Sequence, residues 1–248
     1  LSIADDLEIG SVDLDNTSEI LECLNKNQSK GWSEKNVEER SDILKAIAND
    51  IETSPYELIY FLMHEAGKTI YNAMDEIREA IDFLRYYSEE IIKIHNRDSI
   101  LDGPTGEINT LSYSEKGHFL CISPWNFPVA ILIGQISAAL ACGNRVTVKP
   151  SEHTSILGYL VIKKFHKHGV PISALELILG DGTYGDALSN IKSIKGVAFT
   201  GSLNTAKKIQ SNLINNHKTT FDDFSISPKI RQTLQHWGYV LTDIDFHS

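Results

Sequence analysis

The sequence predicts an α/β protein, and three observations carry that prediction. From about residue 118 the hydrophobic period alternates between short apolar or β-branched runs and helical stretches. The runs Phe119–Ser123, Arg145–Lys149, Leu175–Leu179 and Gly196–Thr200 are separated by helical patterns near 129–142, 154–168 and the 180s. Such alternation implies a parallel sheet with helices on its faces. The chain of 248 residues is long enough to bury a substantial core, with 42% hydrophobic and 23% charged residues.

The N-terminal 98 residues read as helical. Segment 37–51 places Val37, Leu44, Ile47, Ala48 and Ile51 at helical spacing. Ser54-Pro55-Tyr56-Glu57 then supplies a start signal, with Ser as cap, Pro at the first position and Glu three after the cap. The longest helix is expected over about 70–94. There Ile70, Ala73, Met74, Ile77, Ile81, Leu84 and Ile91 form one stripe, and Asp75, Glu76, Arg78, Glu79 and Asp82 fall mostly elsewhere. DGPTGE at 102–107 is a run of turn residues, after which extended segments are expected. From Asn204 a further helix follows. Beyond about residue 218 the rhythm is lost, with a surface helix near 228–236 the most that the pattern offers.

Composition narrows the function classes. With 23 basic and 33 acidic side chains, the formal charge is −10, which argues against a nucleic-acid partner. Residues 1–50 are especially acidic, which reads as a solvated surface. The most apolar stretch, Val129 to Gly143, is too short for a membrane span and contains Gln135 and Ser137; it reads as a buried helix. Cys23, Cys121 and Cys142 are too few and too scattered for a disulfide framework or a zinc pattern. His166 and His168 stand two apart, the wrong spacing for one helix face, so no metal site is expected. With no signal-peptide plan at Leu1, the expected location is cytoplasmic.

In open parallel sheets, ligands gather at the carboxyl ends of the strands. Four loops fall there: Ser123–Pro128, Lys149–Glu152, Gly180-Asp181-Gly182 and Thr200-Gly201-Ser202. Gly201-Ser202 opens a helix, so its amides suit a pyrophosphate; a plain capping turn has the same sequence. Lys149 and Glu152 suit the hydroxyls of an adenosine ribose, and a carboxylate there favours NAD over NADP. The alternative is a surface ion pair. Asn126, stiffened by Pro124 and Pro128, presents an amide suited to stabilising an oxyanion; it is equally a turn-forming Asn.

Taken in order, EAGKT at 65–69, PWNFP at 124–128, ALACGNRVTVKPSE at 139–152, GVP at 169–171 and FTGS at 199–202 resemble the aldehyde dehydrogenase superfamily. The resemblance runs from about residue 32 to 218. REAIDFLRYY at 78–87, GPTGEINTL at 103–111 and CISPWNFPVAI at 121–131, with Ala206 after FTGS, are similar to one branch. That branch is the L-glutamate γ-semialdehyde dehydrogenase module of bifunctional proline-utilisation proteins.

The resemblance implies a Rossmann-type NAD-binding domain, with NAD contacts at Ile122, Trp125 and Lys149 and Glu152 on the ribose. It sets Gly182 near the adenine, Gly201 and Ser202 at the pyrophosphate, and Asn126 at the oxyanion. It divides the chain into helices over 1–98, an oligomerisation hairpin over 99–117, a nucleotide-binding core over 118–218 and a non-family tail over 219–248. It implies an aldehyde substrate, L-glutamate 5-semialdehyde, oxidised to L-glutamate in proline catabolism. The family's nucleophilic Cys and general-base Glu lie beyond the FTGS helix and have no match here. The expectation is therefore a gene fragment, inactive alone and with an unpaired sheet edge. A non-catalytic nucleotide-binding module and a dehydrogenase of another aldehyde are the alternatives.

Overall fold

A computed structural model describes residues 8–12, 31–96 and 100–216 of the chain. Cys23, the expected helix at 228–236 and the whole of 219–248 lie outside them.

Helix α1 (Val37–Thr53) starts at Asn36, whose side chain accepts from Glu39 N at 2.7 Å while Glu39 Oε2 accepts from Asn36 N at 3.2 Å. This is a reciprocal capping box. Helix α2 (Tyr56–His64) has none. Pro55 precedes it with helical backbone angles and no side-chain cap, and Ser54 closes α1 through its backbone N–H. The cap expected of Ser54 is thus not made, because Ser54 is already used as the end of α1.

Helix α3 (Ile70–His95) is capped by Thr69 and buries Ala73, Ile77, Ala80, Ile81 and Leu84 against α1 and the helix at Ala130–Ala141. Two members of the expected stripe, Ile70 and Met74, are exposed, since they project beyond the packed turn at the helix start. Glu76, expected off the buried stripe, is fully buried. A short antiparallel ribbon follows, β1 (Ile100–Leu101) with β2 (Asn109–Thr110), and among the described residues no other strand forms before residue 118. Its apolar side chains Ile100, Leu101, Ile108, Leu111 and Tyr113 are exposed.

The core is a four-stranded sheet in the order β5-β4-β3-β6, all neighbours parallel: β3 (His118–Ile122), β4 (Arg145–Lys149), β5 (Leu175–Leu177) and β6 (Ile194–Phe199). Between them run α4 (Ala130–Ala141), α5 (Ser155–Lys167) and α6 (Gly182–Ser189), with α7 (Leu203–Asn216) after β6. Every residue of β4 is buried, as expected of an inner strand covered on both faces. Two apolar clusters mark those faces. Cys121, Val146 and Val148 pack with α1–α5, while Leu120 and Ile122 pack with Leu188, Ile209 and Leu213 of α6 and α7. Alternate residues of β3 therefore serve opposite faces.

Helix α4 is apolar on all sides and lies between α3 and the sheet. Both of its ends are capped from distant parts of the chain. At the C-terminus Trp32 Nε1 donates to Leu140 O at 3.1 Å and Arg40 Nε to Ala141 O at 3.0 Å. Gly143 (φ +83°) turns the chain there, and a Cβ would stand 3.4 Å from the Arg40 guanidinium carbon. At the N-terminus Glu76 accepts from Val129 N and Ala130 N. A carboxylate at the start and a guanidinium at the end complement the helix dipole.

Candidate nucleotide and carbonyl site

The strand order reverses at β3. The chain leaves β3 toward β4 through α4 on one face and returns to the other edge of β3 as β6, leading to α7 on the opposite face. This is the topological switch point at which open α/β sheets hold ligands. The register places Ile122 beside both Lys149 and Phe199, so the three carboxyl ends are level. Ser123 N donates to Lys149 O at 3.4 Å and Thr200 N to Ile122 O at 3.1 Å. Gln135, from α4, donates Nε2 to both Ile122 O and Thr200 Oγ1 at 3.3 Å. The loops after β3, β4 and β6 thus meet along one edge.

Lys149 is buried, not the surface residue that an ordinary ion pair would require. Its Nζ donates to Pro150 O at 3.1 Å and lies 3.8 Å from Glu152 Oε2; burial lowers its pKa. Glu152 is about half exposed, free to meet a ligand from the solvent side. Gly185 of α6 lies over this pair, its missing Cβ 3.7 Å from Lys149 Cδ and 4.0 Å from Ile122 Cδ1. A Cβ on Gly182 would meet open space, so the start of α6 borders a free volume. Asp181 caps α6 by accepting from Thr183 N at 2.8 Å, and its pKa is lowered, chiefly by hydrogen bonds from Thr183.

Gly201 and Ser202 stand exposed between β6 and α7. A Cβ on Gly201 would come within 2.6 Å of Cζ of the Phe199 ring, so a larger residue there would push that ring aside. Ser202 Oγ accepts from Thr205 N at 3.2 Å and contacts Thr205 Oγ1 at 2.9 Å, so the capping turn is formed. Both helices following these glycines, α6 and α7, point their N-termini to the carboxyl side of the sheet.

Trp125 and Asn126 project from the loop after β3 and are exposed. The Asn126 amide bonds to no nearby backbone among the described residues, so it is not spent on a turn. Ile122 differs from the other predicted contacts. Its side chain is packed under α6, and its carbonyl already takes two protein donors. Neither described cysteine opens onto this edge. Cys121 is buried, and burial pushes its thiol up to about 12. Cys142 ends α4 at the opposite edge of the sheet and is exposed. His166 Nδ1 meets Val170 O at 2.8 Å and His168 Nε2 lies 3.6 Å from Asp50.

Three side chains that support these loops escaped the sequence reading. Glu65 is part-buried and accepts from Ile156 N at 2.8 Å and Leu157 N at 2.9 Å, capping α5 just past Glu152. Glu76 caps α4 just past Pro128, with Oε1 2.7 Å from Val129 N and 3.1 Å from Ala130 N. Lys68 pairs with Glu76 Oε2 at 2.5 Å and lies over the Phe127 ring, 3.9 Å from its centroid. One signal was available. The α4 segment begins Pro128-Val129-Ala130 without a Ser, Thr, Asp or Asn cap, so its amides needed an acceptor from elsewhere.

Comparisons with known proteins agree with this geometry. The chain is 39% identical over 199 residues to the bifunctional protein PutA of Salmonella typhimurium, covering 79% of this chain and 14% of that one. It is 35% identical over 181 residues to the 1-pyrroline-5-carboxylate dehydrogenase of Anoxybacillus flavithermus, covering 73% of this chain and 35% of that one. The solved NAD-dependent benzaldehyde dehydrogenase of Corynebacterium glutamicum superposes with a TM-score of 0.78 at 28% identity, over 89% of this chain and 48% of that one. The chain thus spans a minor part of the length of the relatives it matches. The model of the aldehyde dehydrogenase family matches residues 3–221, which extends the likeness upstream of the stretch legible in the motifs. By sequence and by fold, this chain belongs to the aldehyde dehydrogenase family.

Proposed function

We propose that this chain supplies the nucleotide-binding side of an NAD-dependent aldehyde dehydrogenase of proline breakdown, acting on L-glutamate 5-semialdehyde. The observation that carries the reading is the convergence of the β3, β4 and β6 loops, with Lys149 and Glu152 at one end and Asn126 at the other. The residues fit a dinucleotide. The open space beside Gly182 leaves room for an adenosine, and the amides at the starts of α6 and α7 suit its phosphates. Bound there, NAD would accept the hydride of the aldehyde.

Lys149 donates to the ribose hydroxyls and Glu152 accepts from them. Trp125, Gly182, Gly201 and Ser202 border the nucleotide, while Ile122 forms the floor through its packed side chain. Asn126 donates its amide N–H to the carbonyl oxygen as negative charge develops. Neither described cysteine suits the attack on the aldehyde, because Cys121 is held as a thiol by burial and Cys142 stands at the far edge. The choice of substrate rests on the higher identity to the proline-pathway relatives than to the benzaldehyde enzyme. The exposed β1–β2 ribbon is where a second copy of the chain would pack. Among the described residues no helix is long and apolar enough to cross a membrane.

Calorimetric titration of the 248-residue chain with NAD and NADP tests the reading. NAD should bind at least about tenfold more tightly, and Glu152→Ala should narrow the gap, since a 2′-phosphate then meets no like charge. Equal affinities, or no heat from either nucleotide on folded protein, would contradict it.

A further inference from the structure

The loop carrying Asn126 is held by an ion pair that reaches it from outside the sheet. Glu76 of α3 is fully buried, a costly place for a carboxylate unless its charge is answered. One oxygen is spent on the two backbone amides that follow Pro128, and the other on Lys68. Lys68 is itself nearly buried, and its ammonium also lies against the face of Phe127, the residue after Asn126. That ring is 40% exposed, so little apolar packing fixes it, and the cation over its face supplies the missing hold. The pair therefore grips the loop at two points, the backbone at Val129–Ala130 and the ring at Phe127.

We propose that Lys68 and Glu76 are positioning residues for Asn126: the Lys68–Glu76 pair fixes the Pro124–Pro128 loop so that the Asn126 amide faces the carbonyl position. The role rests on reading Asn126 as the carbonyl donor. Lys68 gives the pair a reach that an uncharged cap at Glu76 would lack, because one ammonium joins the helix start to the loop's aromatic ring. The arrangement predicts that charge removal frees the loop and the two capped amides even where the stability of the chain survives.

The test uses the full chain labelled with 5-fluorotryptophan, the Trp125 resonance being assigned through Trp125→Phe. Amide exchange at Val129 and Ala130 is followed in parallel. Lys68→Met with Glu76→Gln removes both charges and leaves no unpaired ion, so the chain should keep its melting temperature. The Trp125 resonance should nevertheless move and the two amides should exchange about tenfold faster. Lys68→Arg, which keeps a cation for both contacts, should retain the native resonance. Phe127→Leu, at a half-exposed site that does not endanger folding, should move the Trp125 resonance while leaving the two amides protected. A purely structural pair predicts native loop signals wherever stability is native. Native Trp125 resonances in both the double variant and Phe127→Leu would overturn the proposal. These spectra are taken without nucleotide, so they judge the clamp, while titration of the unaltered chain with NAD judges the functional reading.

Discussion

Asp50 and His118 both shape the chain's response to acid, in two successive pH windows. Asp50 of α1 accepts from Lys164 at 2.9 Å and Lys167 at 2.6 Å, tying α1 to α5, and the Lys167 hydrogen bond foremost lowers its pKa to about 2. A depressed carboxylate contributes stability that is present above its unfolded value near 3.8 and lost as pH falls through about 2. Because Lys167 is largely exposed, the contribution is about 1–2 kcal/mol. Asp50→Asn should cost that much at pH 7 in urea unfolding, with the difference closing in strong acid. His118 is buried at the start of β3, its Nε2 2.7 Å from Thr147 Oγ1, and burial lowers its pKa to about 3, with Arg145 adding to the effect. The folded chain keeps it neutral while the unfolded chain protonates it near 6.5. Stability is therefore whole above pH 6.5 and declines as pH falls toward 3, by about 2 kcal/mol at pH 5. His118→Gln should flatten that slope; an unchanged slope would place the acid sensitivity elsewhere.

Helix α4 shows how much of an element depends on residues remote in sequence. Its interior was legible, because a predominantly apolar run bounded by Pro128 and Gly143, interrupted only by Gly134, Gln135 and Ser137, is best placed in a core. The parallel strands were legible for a similar reason, since β-branched and apolar runs alternated with helical spacing. The caps were not. Trp32, Arg40 and Glu76 lie about fifty to a hundred residues away from the groups they satisfy, and local spacing carries no trace of such a pairing. Glu76 was read as solvent-facing because a charged residue on an amphipathic helix ordinarily is. Ser54 misled for the opposite reason: its local pattern was sound, but α1 ended on it. Trp32→Phe should remove the indole donor to Leu140 O, leaving Gly143 N on that oxygen, and with the smaller ring in a fully buried site lower stability by about 1–2 kcal/mol. Gly158→Ala belongs to the same scale. Its Cβ would lie 2.6 Å from Pro150 Cγ, so α5 must part from the Lys149–Glu152 loop. That overpacking should cost about 1–3 kcal/mol by thermal unfolding and weaken NAD binding.

At the scale of the molecule, the sheet is a platform whose two edges have different chemistry. The carboxyl edge gathers exposed polar loops, two helix N-termini and a buried lysine, whereas the opposite edge holds Gly117, Asn144 and the end of α4 in tight mutual hydrogen bonds. The motifs that marked the carboxyl edge in the sequence are those whose residues act from where they stand: a lysine at a strand end, an amide in a proline-bounded loop, glycines before helices. Their arrangement in one crevice followed from the strand order, which the motifs alone do not give. The free side of β6 pairs with no other described strand. The central claim is that the β3, β4 and β6 loops form a single nucleotide site. Hydrogen exchange across the whole chain, with and without saturating NAD, tests it most directly. The account predicts slowed exchange together at 123–128, 149–152, 180–185 and 200–205, with Gly117 and Gly143–Asn144 unchanged. Protection confined to the opposite edge, or NAD binding that leaves all four loops untouched, would contradict it.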